Sequence, residues 1–400
     1  VKKPIYLKNE DRFRHFYIVG QTGSGKSVML NNMAIQDVRA GRWLCVMDPH
    51  GDLAAKVMEY IPRERADDVI YFNPGDTQRP MGINLLEADT ADEKEMVAQE
   101  ANKMMIKMYG NEVFWPRIQD YFLNACLTLI DYPGWGTFVD ILPVVTNKTY
   151  QEERRRTLQH KVVKAWWENV FDAQADREKK EIIPYFQAKF SPFSTNEMIR
   201  NIIGQTHSSF RVDEVMDTKK ILLLNLSKGL LWDLNANLLG MIFVSKIQAA
   251  AMKRQKIAEK DRVDFFFYID EFQNFVNESI ESILSEARKY RLSLNMAHQY
   301  IAQLEKSDAL TKSNLNLKDA VFGNVANKMA YRVGPEDGEF LSKEFWPAFS
   351  ESDLVLQDAL KGAAKISVDN QPTKPFSVNV VKYWEEYQAE DAKLAKAFAE

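Results

Sequence analysis

The sequence predicts an α/β fold on a mainly parallel β-sheet, interrupted by an inserted all-α domain, and two patterns carry this prediction. Short apolar runs alternate with helical patterns near both ends of the 400-residue chain, as parallel strands and their crossover helices do. Between about residues 90 and 210, strand patterns almost vanish and helical patterns broken by proline and glycine replace them. We therefore expect α/β parts at 1–90 and 213–400 and the helical domain at 91–212.

The α/β parts are read from short buried runs. Predicted strands are His15–Val19, Trp43–Met47, Val69–Phe72, Ile221–Leu226, Val263–Ile269, Leu292–Ala297, Asn327–Val333, Ala363–Val368 and Phe376–Val381. Val263–Ile269 has almost no polar residue, which predicts a central strand covered on both faces. Helical spacing predicts helices from Lys26 to Gly41, from Trp232 to Gln255 and around Ile280–Tyr290. A last polar helix is expected to begin near Tyr383.

The predicted helical domain is divided by helix breakers. Its helices are expected at Glu95–Tyr109, Ile118–Asp131, Phe138–Val145, Glu152–Phe171 and Asn196–Ile203, with breaks at Pro116, Pro133, Gly134, Gly136, Pro184 and Pro192. A separation of 244 residues between Lys26 and Asp270 also exceeds what a bare nucleotide-binding core needs. That length supports an insertion.

Composition restricts the classes of function. The net charge of −4 lacks the bulk basic character of many nucleic-acid binders, so any DNA contact must come from a local patch. Cys45 and Cys126 lie in apolar surroundings without metal spacing, which indicates buried thiols in a reducing compartment. No run of 18 apolar residues predicts a membrane span, and no signal peptide is visible. Because the chain starts at Val1, we expect a fragment, and an upstream membrane anchor stays open.

A nucleotide-binding loop follows the first strand. The residues Gly20, Gln21, Thr22, Gly23, Ser24, Gly25, Lys26 and Ser27 match G-x-x-x-x-G-K-S/T, the Walker A pattern. Glycines let backbone N–H groups surround phosphate oxygens, Lys26 neutralises the β/γ charge of ATP, and the Ser27 hydroxyl reaches Mg²⁺. The alternative is an incidental glycine turn before a helix, but the strand–loop–helix context favours the nucleotide site.

A pair of carboxylates ends the apolar strand Val263–Ile269. Asp270 is expected to hold Mg²⁺ through water, and Glu271 to polarise the attacking water, which suits hydrolysis. The alternative is an ordinary strand-to-helix cap. Together with the loop at Gly20–Ser27, the pair predicts an ATP hydrolase.

Several other residues carry open interpretations. Gln299, just after a strand, senses the γ-phosphate or positions water, or is a loop amide. Arg288 reaches a neighbouring subunit's γ-phosphate, or lies on a solvated helix face. Asp48, His50 and Asp52 follow a strand tip near the Gly20–Ser27 loop, and they either serve the nucleotide site or, in the case of Asp52, cap the next helix. A basic run, which we interpret as a salt-bridged surface rather than a DNA contact, contains Arg154, Arg155, Arg156, His160, Lys161 and Lys164. Four tryptophans, which we interpret as packing residues, are Trp115, Trp135, Trp166 and Trp167.

These motifs, in this order, resemble the FtsK/HerA superfamily of DNA-pumping ATPases, and most of all the cytoplasmic part of type IV secretion coupling proteins. The segments that carry the resemblance are Gly20–Ser27, Asp48–Asp52, Ile269–Gln273, Ala287–Gln299 and Tyr331–Gly334 with Glu336 and Asp337. The resemblance implies a RecA-like domain interrupted by an all-α domain, and a homo-hexameric ring that threads DNA using ATP and Mg²⁺. It further implies that Arg288 is supplied in trans and that Gln299 is the sensor glutamine.

Three functions follow from this reading. The first is a conjugative coupling ATPase that pumps DNA, with relaxase or secretion-channel proteins as partners and a cytoplasmic location beside the membrane. The second is a soluble HerA-like motor in DNA repair or packaging. The third is a nucleotide-gated scaffold that recruits proteins through its helical domain. Upstream membrane helices would favour the first, and absence of ATP turnover the third.

Overall fold

A computed structural model describes residues 3–275, 278–304 and 317–386. The first α/β part supplies three parallel strands and the helix that follows the glycine-rich loop. Its elements are α1 (Asn9–Arg12), β1 (Phe16–Val19), α2 (Lys26–Arg39), β2 (Leu44–Asp48), α3 (Asp52–Met58) and β3 (Val69–Phe72). Helix α2 ends at Arg39, and Gly41, two residues further on, has a φ of 74°, the left-handed conformation that commonly follows the end of a helix.

Helices alone fill the chain between β3 and the next strand, a stretch that the structure describes throughout. They are α4 (Ala91–Tyr109), α5 (Pro116–Asp131), α6 (Ile141–Thr146), α7 (Lys148–Arg155), α8 (Lys161–Trp166), α9 (Asp176–Thr195), α10 (Glu197–Ile203) and α11 (Val212–Asp217). Short 3₁₀ and π turns join some of them.

The second α/β part returns to strands. Its elements are β4 (Ile221–Asn225), α12 (Lys228–Lys253), β5 (Phe265–Ile269), α13 (Glu278–Glu286), β6 (Leu292–His298), α14 (Leu317–Asn324), β7 (Asn327–Ala330), α15 (Pro335–Glu344), α16 (Glu351–Val355), β8 (Lys361–Lys365), β9 (Ser367–Val368), β10 (Gln371–Pro372) and β11 (Phe376–Asn379). A 3₁₀ turn at Tyr383–Glu386 begins where the last polar helix is predicted, and the rest of that prediction lies outside the described residues.

Nine strands form one mostly parallel sheet in the order β11-β8-β7-β1-β6-β5-β2-β4-β3. Neighbours from β7 to β3 pair in parallel, whereas β8 pairs antiparallel with both β7 and β11. The predicted α/β class with a mainly parallel sheet is therefore confirmed.

Strand β5 lies inside the sheet and is buried along its whole length, as its apolar sequence predicts. Phe265 and Phe267 belong to one apolar core, and Phe266 and Tyr268 belong to the core on the opposite face. Helices α2 and α3 contribute to the second of these cores. Helices α12 and α13 contribute to the first, so both faces of the sheet are covered.

The first core continues from the sheet into the inserted helices. Phe72 of β3 packs edge-on against Phe243 of α12, with ring centroids 4.9 Å apart. Phe243 in turn stacks on Phe210, which lies just before α11. The same cluster extends to Met104 of α4 and Phe122 of α5. The helical region and one face of the sheet thus share a single hydrophobic core.

Two predictions within the helical region are wrong. Pro184 and Pro192 lie inside α9 rather than breaking it. Although proline removes a helical hydrogen bond, α9 buries Phe186 and Phe190, and this packing compensates for the lost bonds.

The predicted helix Glu152–Phe171 is also interrupted. Helix α7 ends at Arg155 and α8 begins at Lys161. The Asp131 carboxylate accepts the backbone N–H of His160 at 3.2 Å, and the His160 side chain accepts the N–H of Val163 at 3.3 Å. These bonds stabilise the non-helical link, and periodicity alone does not reveal them.

Helix α12 and its 3₁₀ extension, Lys228–Lys256, are long and apolar enough to cross a membrane by composition, with a mean hydropathy of 1.2. However, 67% of the most apolar 18-residue stretch of this helix is buried within the fold. A buried core helix also meets these criteria of length and composition, so they do not by themselves indicate a membrane span. The helix is not regular at its start, since Trp232 has φ 62° and ψ 157°.

Candidate nucleotide site

The predicted site residues converge at the carboxyl ends of the parallel strands. The loop Gly20–Ser27 follows β1, His50 follows β2, Asp270 and Glu271 follow β5, and Gln299 follows β6. Strand β6 lies between β1 and β5, so the Gln299 position adjoins both the loop and the carboxylate pair. Open parallel sheets bind ligands at this edge.

The conformation of the loop depends on its glycines. Gly23 and Gly25 have φ values of 74° and 124°, which side chains rarely adopt. A Cβ at Gly20 would lie 2.7 Å from the Cβ of Tyr331, so only glycine fits there. A Cβ at Gly23 would meet none of the described atoms within 4 Å, because this part of the loop faces open space.

Residues from the end of the chain hold the loop in place. The N–H of Gln21 donates to the carbonyl of Arg332 at 2.8 Å, and the N–H of Leu360 donates to the carbonyl of Ser24 at 2.8 Å. The N–H of Gly20 donates to the carbonyl of His298 at 3.3 Å. Leu360 is absent from the sequence predictions because backbone contacts leave no pattern in residue types.

Lys26 and the magnesium ligands predicted from the sequence lie together. The Ser27 hydroxyl donates to the Asp270 carboxylate at 2.8 Å. Burial raises the pKa of Asp270, although the bond from Ser27 opposes the shift. Lys26 is 7% exposed and donates to the carbonyl of Gln21 at 3.2 Å. Burial lowers its pKa, whereas the charges of Asp270 and Glu271 act in the opposite direction.

Glu271 is oriented by the residues around it. Its backbone is left-handed, with φ 46° and ψ 48°, a conformation that costs free energy in a residue other than glycine and that often marks functional sites. The Gln299 amide donates to its carboxylate at 2.6 Å. His50 Nε2 lies 3.6 Å from the same oxygen, and Asn274 donates to the other oxygen at 3.4 Å. Asn274 was not predicted, because an amide in a turn has no distinctive signal.

The structure separates the two acids that follow β2. Asp48 is buried, and one of its carboxylate oxygens accepts the N–H groups of Leu53 and Ala54 at 2.6 and 3.1 Å. It therefore caps α3, which was one of the two roles that the sequence left open for Asp52. Asp52 is exposed in the first turn of the helix. Asp48 can do this because the left-handed turn at Gly51 folds the chain back over it.

Arg288 lies away from this site. It precedes β6, whereas Gln299 follows it, and the seven residues of the strand span ~23 Å. The exposed Arg288 side chain donates to Asn370 at 3.2 Å. It lines a cleft of about 410 Å³ at the amino edge of the sheet. Among the described residues of that lining, Arg14, Lys328 and Lys365 are also basic and none is acidic.

Arg291, considered because it lies close to Arg288, has different surroundings. It donates to Asp264 at 2.6 Å and to Glu10 at 2.7 Å. Its guanidinium also lies 4.3 Å from the centre of the Phe13 ring. Arg291 is therefore tied to its own chain.

Part of the basic run and two of the four tryptophans have the surroundings that the sequence predicts. Arg155 forms an ion pair with Asp172 at 2.7 Å, and Arg154 lies 3.8 Å from the centre of the Tyr132 ring. Trp166 and Trp167 are buried. These side chains serve the packing of the helical region.

The site fits a nucleoside triphosphate and Mg²⁺. An open backbone cradle at Gly23, a buried lysine and a hydroxyl–carboxylate pair match the groups that bind phosphate and a hard cation. The fold and the site thus define a nucleotide-binding protein of the P-loop class.

Comparison with known proteins identifies the family. Residues 1–345 match the model of the type IV secretory system conjugative DNA transfer family, and the chain belongs to this family. The resemblance to type IV coupling proteins that the sequence motifs indicate is therefore confirmed at the level of the family. Among curated protein sequences, none matches the chain.

Solved structures share the fold at low identity. The unbound bacterial conjugative coupling protein TrwBdeltaN70 superimposes with a TM-score of 0.67 at 15% identity, covering 93% of this chain and 87% of that one. The plasmid coupling protein TrwB in complex with ADP and Mg²⁺ gives 0.67 at 14% identity, with 94% and 86% covered. VirB4 of Thermoanaerobacter pseudethanolicus gives 0.59 at 12% identity, with 95% and 90% covered.

Proposed function

We propose that this chain is a ring-forming ATPase that hydrolyses ATP to translocate DNA, as a coupling protein of type IV secretion and conjugation. The observation that carries the proposal is the arrangement at one sheet edge, where Ser27 bonds Asp270 and Gln299 bonds Glu271. Membership of the conjugative DNA transfer family supports DNA as the cargo. TrwB, which shares the fold, binds ADP and Mg²⁺.

The proposed nucleotide contacts follow from the loop. Backbone N–H groups of Gly20–Ser27 and the start of α2 bind the phosphates, and Lys26 neutralises their charge. Ser27 and Asp270 are the residues that would hold Mg²⁺, which supplies charge neutralisation at the β- and γ-phosphates when bound. The low pKa of Lys26 in the free protein reflects burial, and phosphate charge would stabilise its ammonium form.

In the proposed hydrolysis step, Glu271 accepts a proton from the water that attacks the γ-phosphorus. Gln299 and His50 hold the Glu271 carboxylate in place in the free protein. Gln299 follows the strand that lies beside β1, and in this proposal it also senses whether a γ-phosphate is present. The products are ADP and inorganic phosphate.

The proposed assembly is a homo-hexamer that encloses DNA. Arg288 would act on ATP held by the adjacent subunit, because its own chain places it ~23 Å from the nucleotide edge. We propose 91–212 as the all-α domain of each subunit and relaxase or secretion-channel proteins as its partners. The proposed place of work is the cytoplasmic side of the membrane.

The test measures phosphate release by the purified chain with no DNA, with single-stranded DNA and with duplex DNA. We expect DNA of any sequence to stimulate release, and stimulation to fall steeply as salt rises, since phosphate contacts dominate such binding. Lys26→Ala should abolish nucleotide binding and hence release under every condition. Wild-type protein that binds ATP without turnover would instead support the scaffold function. Turnover that ignores DNA at all salt concentrations would contradict DNA translocation.

A further inference from the structure

Trp232 combines backbone strain with exposure. Its φ of 62° and ψ of 157° fall in a region that is almost restricted to glycine. Its side chain is nevertheless 72% exposed, so burial of the ring does not compensate for the strain. Leu230, two residues earlier, is 51% exposed. Strained residues of this kind cluster at sites where a side chain must be presented to a ligand.

The indole stands beside a cleft between the start of α12 and the inserted helices. The cleft has a volume of about 1070 Å³, and its lining includes Thr77, Pro192, Asn196, Asn201, Trp232 and Asn235. Among the described residues that line it, Glu197 is the only charged one. Amide or hydroxyl side chains and apolar side chains share the rest of the lining, so the cleft suits a flat ligand with an apolar face and hydrogen-bonding edges.

Asn235 supplies an independent sign of a missing ligand. It is 4% exposed, and its side-chain N–H donates to the carbonyl of Leu231 at 2.9 Å. Its amide oxygen has no hydrogen-bond partner among the described residues. A buried acceptor left without a donor is costly. Because this oxygen is shielded in the free protein, a ligand N–H would satisfy it once the neighbouring side chains move aside.

The segment that carries Trp232 is joined to the nucleotide edge. The N–H of Leu226 donates to the carbonyl of Asp48 at 2.9 Å, and the N–H of Lys228 donates to the carbonyl of Pro49 at 3.0 Å. The next residue, His50, lies 3.6 Å from the Glu271 carboxylate. A shift of Glu271 on nucleotide binding therefore has a short bonded route to Trp232.

We propose that Trp232 stacks on an unpaired base of single-stranded DNA, and that the Asn235 amide oxygen accepts a hydrogen bond from the edge of that base. A base offers the flat face and the donors that this cleft can bind, while its phosphates stay at the mouth. The inference rests on the proposed DNA function and specifies the form of DNA that the chain grips.

The experiment measures binding of a fluorescent oligothymidylate and of a matched oligonucleotide without bases by anisotropy. Wild-type protein should prefer the thymidylate. Trp232→Ala should bind it about 5- to 150-fold more weakly, the range expected for one stacked base, and should no longer distinguish the two strands. Its salt dependence should be unchanged, because the phosphate contacts remain. Trp232→Phe should retain part of the preference.

Trp346→Ala is the matched control, since Trp346 is 74% exposed elsewhere on the chain, and it should bind like wild type. Trp232→Gly relieves the backbone strain, so it should fold at least as stably as wild type and still bind weakly. If Trp232→Ala binds thymidylate like wild type while wild type binds DNA, stacking is refuted and the proposed function stands. If Trp232→Ala loses only self-assembly, Trp232 is a subunit contact and the inference is wrong. Wild type that binds neither strand would refute the DNA function itself.

Discussion

The two edges of the parallel sheet differ in how their charged side chains are partnered. At the carboxyl edge, Lys26, Ser27, Asp270 and Glu271 contact one another or lie within one short loop cluster. At the amino edge, Arg288 lines a basic cleft without acidic residues among those described. The carboxyl edge is supplied with its own partners. At the amino edge, Lys328 pairs with Glu344, which lies outside the cleft lining, and the Arg288 side chain bonds the uncharged amide of Asn370.

This difference fits the proposal that Arg288 acts on a neighbouring copy. A cationic cleft attracts an anion, and phosphates held at the carboxyl edge of another copy would be such an anion. Arg291 makes the contrast sharper, because its carboxylate partners belong to its own chain. The following predictions test whether the residues at the two edges have separate roles.

The largest effect is expected for Arg288→Ala. Arginines supplied to a transition state are worth ~10³–10⁵ in rate, so the variant should bind ATP normally and hydrolyse it poorly. Mixing it with Lys26→Ala protein should restore part of the activity, since some sites then combine an intact loop with an intact arginine. ATPase assays of the mixture, compared with each variant alone, measure this.

If the mixture of Arg288→Ala and Lys26→Ala proteins is as inactive as each variant alone, Arg288 acts on the nucleotide site of its own subunit. The proposed division of labour between the two sheet edges would then be wrong. Full activity of Arg288→Ala alone would make Arg291 the remaining candidate.

Glu271→Gln should have the next largest effect. General-base catalysis contributes roughly 10²–10⁴-fold, so turnover should fall by that factor while ATP binding is kept. Asp52→Asn is the control, because Asp52 is exposed at the same edge and Asp48 does the capping. Single-turnover phosphate release is the measurement. Equal rates for Glu271→Gln and wild type would remove Glu271 from the mechanism.

A smaller effect comes from His15 at the amino edge. Complete burial lowers its pKa to about 4, whereas an unfolded chain has a histidine pKa near 6.5. As pH falls below about 6.5 the unfolded state takes up a proton that the folded state does not, so stability is lost until pH nears 4. Between pH 7 and 5 this amounts to about 2 kcal/mol.

His15→Asn tests that contribution, because asparagine tolerates the φ of 63° at this position. Denaturant unfolding at pH 7 and pH 5 should show that the variant loses about 2 kcal/mol less than wild type over this interval. Identical losses in both proteins would show that His15 is not the acid-sensitive group.

The smallest effect is expected for Arg291→Ala. Partly exposed ion pairs contribute about 0.2–1 kcal/mol, so thermal stability should fall slightly and ATPase activity should stay near the wild-type value. A loss of activity as large as that of Arg288→Ala would show that the two arginines share one task.

Most of the fold was predictable because it follows from local patterns. The apolar runs at β1, β2, β4, β5 and β6 lie at their expected places, within a residue or two at their ends. The predictions failed where tertiary contacts override local preference. Buried phenylalanines carry α9 through two prolines, and Asp131 interrupts the expected helix after Arg155.

The site was predictable where a motif fixes residue types at fixed spacing, as in Gly20–Ser27 and Asp270–Glu271. The bond between Gln299 and Glu271 was not foreseen, because it depends on the order of strands in the sheet. Trp232 has no sequence signal at all. Trp232 became a candidate binding residue because of its backbone angles and its exposed ring, and both are visible only in the structure.

The shared core of sheet and inserted helices constrains anyone who wishes to engineer a minimal version of the protein. The insertion begins after β3 and ends before β4, and these two strands pair with Val69 opposite Ile221. The topology alone therefore suggests that the insertion could be deleted by joining β3 to β4. Cutting it out would strip the cover from Phe243 and the rest of that face of α12. The product would expose a large apolar surface and would tend to aggregate, so a useful truncation must keep the sheet and the inserted helices together.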